Sequence, residues 1–253
     1  MKMHILSGGR LKMRKSVYVP EADRQEIFEV PVSCYLLKHP QGNVLFDTGC
    51  HPSTATNAEA RWGGMAKFMT PISGPQDNVI DELKKLSMRP DDIDVVINSH
   101  LHSDHCGCNE FFKKASFICH AKELEEAQKQ DADKMGFLEV DWKQPNAPET
   151  INGQKDLFND GKIVLVPVPG HTPGMTGALV ALDKSGSFFL ASDSVALKSN
   201  LVKDQIPRNM WNPELSSQSM AEIRKIESGG AKVLFGHDDE QHRTLLTGME
   251  FYD

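Results

Sequence analysis

The chain has 253 residues, enough to bury a sizeable core, and its 28 Lys and Arg against 35 Asp and Glu leave a formal net charge of −7. That balance opposes binding to nucleic acid or to an anionic membrane surface. Five cysteines at irregular spacing do not make a disulfide framework, the N-terminal MKMHILSGGRLKMRK lacks the apolar centre of a secretory signal, and no apolar run approaches the roughly 20 residues of a membrane span; the expectation is a cytoplasmic protein, one domain over residues 1–253.

The first predicted strands are VPVSCYLL (30–37) and NVLFDTG (43–49), with a turn at GNV between them. Both are short, rich in Val and Leu, and bounded by turn-forming residues. A helix follows in PQDNVIDELKKLSM (75–88), where Val79, Ile80, Leu83 and Leu86 share one face and Pro75 stands near the start. IDVVINSH (93–100) is the next strand, and HAKELEEAQKQ (120–130) reads as a charged surface helix. The polar stretch 141–161 reads as a connection between halves. Strands return at KIVLVPV (162–168), ALVAL (178–182) and SFFLASD (187–193), the last two joined by a turn at KSGS. In NPELSSQSMAEIRKIESGG (212–230), Leu215, Met220, Ile223 and Ile226 share a helical face that Gly229–Gly230 terminates. KVLFGHD (232–238) is the last strand. Strands and helices mixed through both halves predict an α/β or α+β fold, sheets covered by helices.

Four strand ends share a design: an apolar run stops and a metal-capable residue appears at its mouth. VVINS leads into His100, His102, Asp104 and His105; VLVPVPG into His171; FFLAS into Asp193; VLFG into His237. One histidine at a strand end is most often a hydrogen-bonded structural residue, but five of the ten histidines collect at such ends. His4, His39, His51, His120 and His242 show no such context and read as surface or structural residues. In an extended H-x-H, alternate side chains point the same way, so His100 and His102 can share an ion. After a tight turn, Asp104 and His105 are offset and can face another. Seven donors exceed the needs of one tetrahedral ion and suit two ions with a bridging carboxylate.

HLHSDH, PGHTPG, SFFLASD, VLFGHD and the earlier VLFDTG, in that order and strand context, resemble the metallo-β-lactamase superfamily along nearly the whole chain. The resemblance implies an αβ/βα four-layer sandwich with the metals at one edge. It assigns His100, His102 and His171 to one ion, Asp104, His105 and His237 to another, Asp193 as the bridge, and Asp47 as a residue that orients ligands. The histidine and carboxylate donors imply two divalent ions per chain; zinc suits the set, and Mn, Co or Fe can also bind it.

Within the superfamily, the SHLHSDH form, RWGGMAKFMTP (61–71) where a loop covers the site, the GHD element and the TGMEFYD ending are similar to the N-acyl homoserine lactonases and the related pyridoxolactonases. Other branches fit less well. Only 16 residues follow His237, too few for the glutathione-holding region of the thioesterases. Asp193 stands where true β-lactamases carry Cys, and His102 where flavodiiron proteins carry Glu. The acidic chain offers no basic exosite for tRNA. The resemblance implies a small-molecule substrate, a lactone opened by a metal-bridging hydroxide, with Asp104 as catalytic proton shuttle. Pyridoxolactone, thioester and phosphotriester hydrolysis stay open, as does a metal-binding protein without turnover. No nucleic acid or membrane partner is implied, and a homodimer stays open. Trp62, Met65, Phe68 and Met69, with Met13 a weaker candidate, suit an apolar acyl pocket and equally an ordinary core. Cys106 and Cys108 read as small residues packed under the ligand loop. One departure stands out. The best-known lactonases carry a carbonyl-contacting Tyr three positions after the bridging Asp; here that place is Ala196, and none of Tyr18, Tyr35 and Tyr252 lies near it in sequence. Either another group takes the role or the substrate differs.

Overall fold

The apolar runs are strands that bury both faces, and two packed sheets result. The computed structural model describes residues 1–253. Strand β1 (Lys2–Arg14) pairs antiparallel with β2 (Ile27–His39), which pairs antiparallel with β3 (Gly42–Phe46). Helix α1 (Thr54–Trp62) precedes β4 (Met69–Pro71), which adds to the outer edge of β1. Then come α2 (Val79–Lys85), β5 (Val95–Ile97), the single turn α3 (Ser103–Cys106), β6 (Ser116–His120), α4 (Ala121–Ala127), α5 (Glu139–Trp142) and β7 (Glu149–Ile151). The seven strands run in the order β4-β1-β2-β3-β5-β6-β7, with parallel pairing from β3 to β7. The second sheet takes β8 (Lys155–Asp156), β9 (Ile163–Pro167), β10 (Thr176–Leu182), β11 (Gly186–Ser192) and, after helices α6 (Lys198–Lys203) and α7 (Pro213–Ser228), β12 (Lys232–Phe235). Its order is β12-β11-β10-β9-β8, and α8 (Asp239–His242) follows it.

Alternation along each strand sorts side chains between layers. Tyr35, Leu37, Val44, Phe46 and Ile97 of the first sheet meet Leu165, Ala178, Val180, Phe188 and Leu190 of the second in a central core. Their neighbours Leu36, Leu45 and Val96 face the other way, onto Val79 and Leu83 of α2. Phe189, Ala191 and Val233 of the second sheet turn outward onto Met220 and Ile223 of α7. Helix, sheet, sheet, helix is the four-layer order that the resemblance implied. Local signals set the helix starts. The Asn78 side chain accepts from the amides of Ile80 and Asp81, and that of Asn212 from Leu215, with Pro213 in the first turn of α7.

Strand β1 was not among the expected strands. Ser7-Gly8-Gly9 breaks its apolar pattern, and the register with β2 slips there, with Gly9 at φ +115°. The stretch 141–161 does connect the halves: β7 closes one sheet and β8 opens the other. No helix is long and apolar enough to cross a membrane.

Candidate metal centre

The four strand ends meet. β5 delivers Ser99 and His100, and α3 carries Asp104 and His105; His171 follows β9, Asp193 follows β11 directly, and His237 follows β12. Potential ligand atoms lie within 4.8 Å of one another in three overlapping groups: His100, His102 and His171; His100, His105 and Asp193; Asp104, His105 and His237. All seven predicted residues are therefore in one cluster. Six are buried and His102 is half-buried.

Asp193 faces both sides of the cluster. Its Oδ2 lies 3.4 Å from His171 Nε2, while its Oδ1 lies 3.2 Å from His105 Nε2 and 3.0 Å from His237 Nε2. Asp104 Oδ2 stands 3.5 Å from His105 Nε2 and 3.8 Å from His237 Nε2. His171 Nε2 is 3.0 Å from His102 Nδ1.

The outer hydrogen bonds set which ring nitrogen faces inward. His237 Nδ1 lies 2.8 Å from the carbonyl of Pro31, which can only accept, so Nδ1 carries the proton and Nε2 presents its lone pair. His105 Nδ1 donates to Asp47 Oδ2 at 2.9 Å, with the same consequence. Ser99 gives its hydroxyl proton to Asp47 Oδ2 at 2.7 Å, so its oxygen accepts from His100 Nδ1 at 3.0 Å. Asp47 also takes the Ser99 amide at 2.7 Å. The expected orienting role of Asp47 thus has a geometry, because one carboxylate fixes two imidazoles. On the other flank, Glu123 of α4 is fully buried and accepts from the amides of Leu101 and Gly174, at 3.0 and 2.9 Å. It ties the loop of His100 and His102 to the loop of His171.

Nε2 of His100, His105 and His237 and Oδ1 of Asp193 are buried without any hydrogen bond. Their close approaches lack hydrogen-bond alignment. A buried polar atom without a partner costs about 1–3 kcal/mol, and four that converge are a poor arrangement for a site that works alone. Nitrogen and carboxylate lone pairs aimed at common points fit divalent metal ions. The charges agree. Burial, reinforced by His105 and His102, holds His100 well below the usual imidazole range, and burial with His171 brings His102 down to about 3. Burial also pulls on His105, but Asp104, Asp193 and Asp47 outweigh it and raise that imidazole. Burial would lift Asp193, and His237, His105 and His171 instead hold it well below the carboxylate range.

A cavity of about 370 Å³ opens over this cluster, with His102, Asp104, His171 and Asp193 on its floor. Its walls are mostly apolar and rich in methionine, with Met13, Met65, Met69, Met135 and Met210 beside Phe137 and Trp211, while Glu126, Lys134 and Arg208 also reach the lining. Of the residues expected for an acyl pocket, Met65, Met69 and the weaker candidate Met13 line the cavity. Trp62 does not; it is 2 % exposed and packs in the core between β1, β2 and α1. Phe68 does not either; it is 69 % exposed on the surface. The loop that carries them covers the site, but its helical turns send successive side chains to different sides, which linear order does not reveal. Tyr18, Met210 and Trp211 also line the cavity and were not anticipated. Trp211, an aromatic in the polar RNMWNP segment, had a signal in the sequence; Tyr18 had none. Cys106 and Cys108 are buried and free, as expected of packing residues. His39 stacks on Phe158 and pairs with Asp160, and His51 pairs with Glu110, both away from the cluster.

The profile of the metallo-beta-lactamase superfamily matches residues 27–237. N-acyl homoserine lactonase AiiB of Rhizobium rhizogenes is 31% identical over 246 residues, 90% of this chain and 87% of the relative. N-acyl homoserine lactonase AttM of Azorhizobium caulinodans is 27% identical over 260 residues, 100% of this chain and 99% of the relative. Among solved structures, an N-acyl homoserine lactone hydrolase with N-hexanoyl-L-homoserine at its catalytic metal centre superposes with a TM-score of 0.90 at 26% identity, covering 99% of this chain and 98% of the other.

Proposed function

The chain belongs to the metallo-beta-lactamase superfamily, and from that membership we propose that it is a metal-dependent hydrolase that opens the ring of N-acyl homoserine lactones, with residues 1–253 acting as one catalytic unit. The observation that carries this is Asp193, whose two oxygens face separate histidine groups on the floor of an apolar cavity. His100, His102 and His171 would hold one divalent ion, Asp104, His105 and His237 a second, and Asp193 would bridge them. Zinc suits such a donor set. Ions bound there supply Lewis-acid activation of water and of the ester carbonyl.

The rest is the work of the chain. Water adds to the lactone carbonyl carbon, the ring C–O bond breaks, and an N-acyl homoserine leaves with a new carboxylate and a new hydroxyl. The alkoxide released from the ring needs a proton. Asp104 lies on the cavity floor, next to both His105 and His237, where its carboxylate can take a proton from the attacking water and return it to that alkoxide. Met13, Met65, Met69 and Met210 supply flexible apolar walls for the acyl chain, and about 370 Å³ falls in the range of small-molecule sites. The names of the relatives and the product in the structural neighbour support this substrate class.

Hydrolysis of an acyl homoserine lactone panel by metal-replete protein, beside a thioester and a phosphotriester, is the test. Lactone opening at the highest kcat/KM supports the proposal. Efficient cleavage of either other ester with no lactone opening overturns the substrate and leaves a metal-dependent hydrolase.

A further inference from the structure

Tyr18 sits on the cavity wall although nothing in its sequence context pointed there. It follows a 3-10 turn, Lys15–Val17, at the end of β1. Its ring stacks on His237 with centroids 5.6 Å apart at 29° and meets Phe28 edge-on at 6.0 Å. The backbone is held from three sides. The Tyr18 carbonyl accepts from the buried Asn200 side chain at 2.8 Å, the Val17 carbonyl from the amide of Arg208 at 2.8 Å, and the Pro20 carbonyl from the Arg208 guanidinium at 2.7 Å. The residue is 3 % exposed, yet its hydroxyl has no hydrogen-bond partner. The other hydroxyl on the wall, Thr172 Oγ1, is sealed from solvent.

Position 196, where the lactonases that the sequence resembles carry Tyr, is Ala here. Ala196 is fully buried in the same apolar cluster as Tyr18, and its carbonyl receives the amide of His237, the residue on which Tyr18 stacks. Ala196 offers no hydroxyl, and Tyr18, far away in sequence, shares its cluster. A neutral phenol next to a reacting carbonyl can donate one hydrogen bond and stabilise the oxygen on which negative charge develops.

We propose that Tyr18 is a catalytic residue whose hydroxyl donates a hydrogen bond to the oxygen of the scissile carbonyl. The role presupposes the lactonase activity proposed above, and the experiment separates the two. Tyr18→Phe removes one oxygen and keeps the ring on His237. With metal-loaded protein, kcat should fall about 10- to 100-fold while KM stays within about threefold and metal content is unchanged. A second readout needs no turnover. The infrared stretch of a lactam analogue labelled with ¹³C at the ring carbonyl should lie lower on the native protein than on Tyr18→Phe, because only the native protein offers it the phenol. The swap Tyr18→Ala/Ala196→Tyr, which conserves volume, should recover more activity than Tyr18→Ala alone. Native kcat in Tyr18→Phe, an unchanged stretch, or a loss that tracks lost metal each overturns the proposal. If the native protein opens no lactone but cleaves a thioester or phosphotriester, the substrate assignment falls, and Tyr18→Phe measured on that ester decides the donor by the same loss or its absence.

Discussion

His237 and Asp193 approach to 3.0 Å, Nε2 to Oδ1, because β12 runs parallel to β11 and the register slips by one residue at Ser192–Phe235. The slip brings the two strand ends together just where their side chains enter the site. Gly236 permits it. A Cβ there would stand 2.6 Å from the Ser192 carbonyl oxygen and 3.0 Å from Asp193 Oδ1. Gly236→Ala must therefore push the strand ends apart, at a cost of about 1–3 kcal/mol in stability. The displaced His237 should release metal from the group it shares with Asp104 and His105. Elemental analysis of the variant, with its Tm, checks this; native metal content would show that the close packing does not position His237.

Asp193 should matter to both histidine groups at once. We expect protein purified without chelator to hold about two ions per chain, from the two-metal argument. Asp193→Ala should lose metal and activity together, while His242→Ala, outside the cluster, should keep both. A native ratio that stays at one under metal-replete conditions rules out the dinuclear proposal.

Glu123 should make stability depend on pH. Burial raises its carboxyl from the ordinary 4.5 to about 7, against the hydrogen bonds it accepts. Between those values the folded chain holds a proton that the unfolded chain has lost, so stability falls as pH rises through the window and levels off above about 7. The shift corresponds to a few kcal/mol, on the order of 1.4 kcal/mol per unit. The difference in unfolding free energy between the native protein and Glu123→Gln, both metal-saturated, isolates it. The native protein should lose ground to the variant from pH 5 to 7; parallel curves would mean that the carboxyl stays ionised.

Trp62 and Phe68 should separate cleanly. Trp62 fills the core behind the cavity, so Trp62→Ala should cost about 3–5 kcal/mol and impair activity only through stability. Phe68 is exposed, and Phe68→Ala should change stability by less than about 0.5 kcal/mol. Denaturant melts of both variants, with KM for long-chain lactones, test the assignment. A selective rise in KM for Phe68→Ala would return that side chain to the substrate path.

The sequence by itself determined most of the strands, the helices with Asn caps and the seven clustered residues; the four layers came only with the family resemblance. The strands, helices and clustered residues rest on short-range signals. Apolar runs bounded by turn residues make buried strands, and a metal-capable residue where a strand stops lands at a sheet edge. His100, His102, Asp104 and His105 were legible for the added reason that alternation and a tight turn set their relative directions. Only the tertiary structure decided which oxygen of Asp193 faces which histidines, because a register slip between β11 and β12 sets that carboxylate. Only it separated Met65 from Trp62 and Phe68, since irregular turns carry no period from which a buried face can be read. Tyr18 is the clearest case. It comes to His237 through tethers to Asn200 and Arg208 and through the apolar cluster it shares with Ala196, contacts between segments far apart in the chain. Local propensity acts over a few residues, whereas a cavity wall is the sum of whichever distant segments the packed sheets bring to one edge.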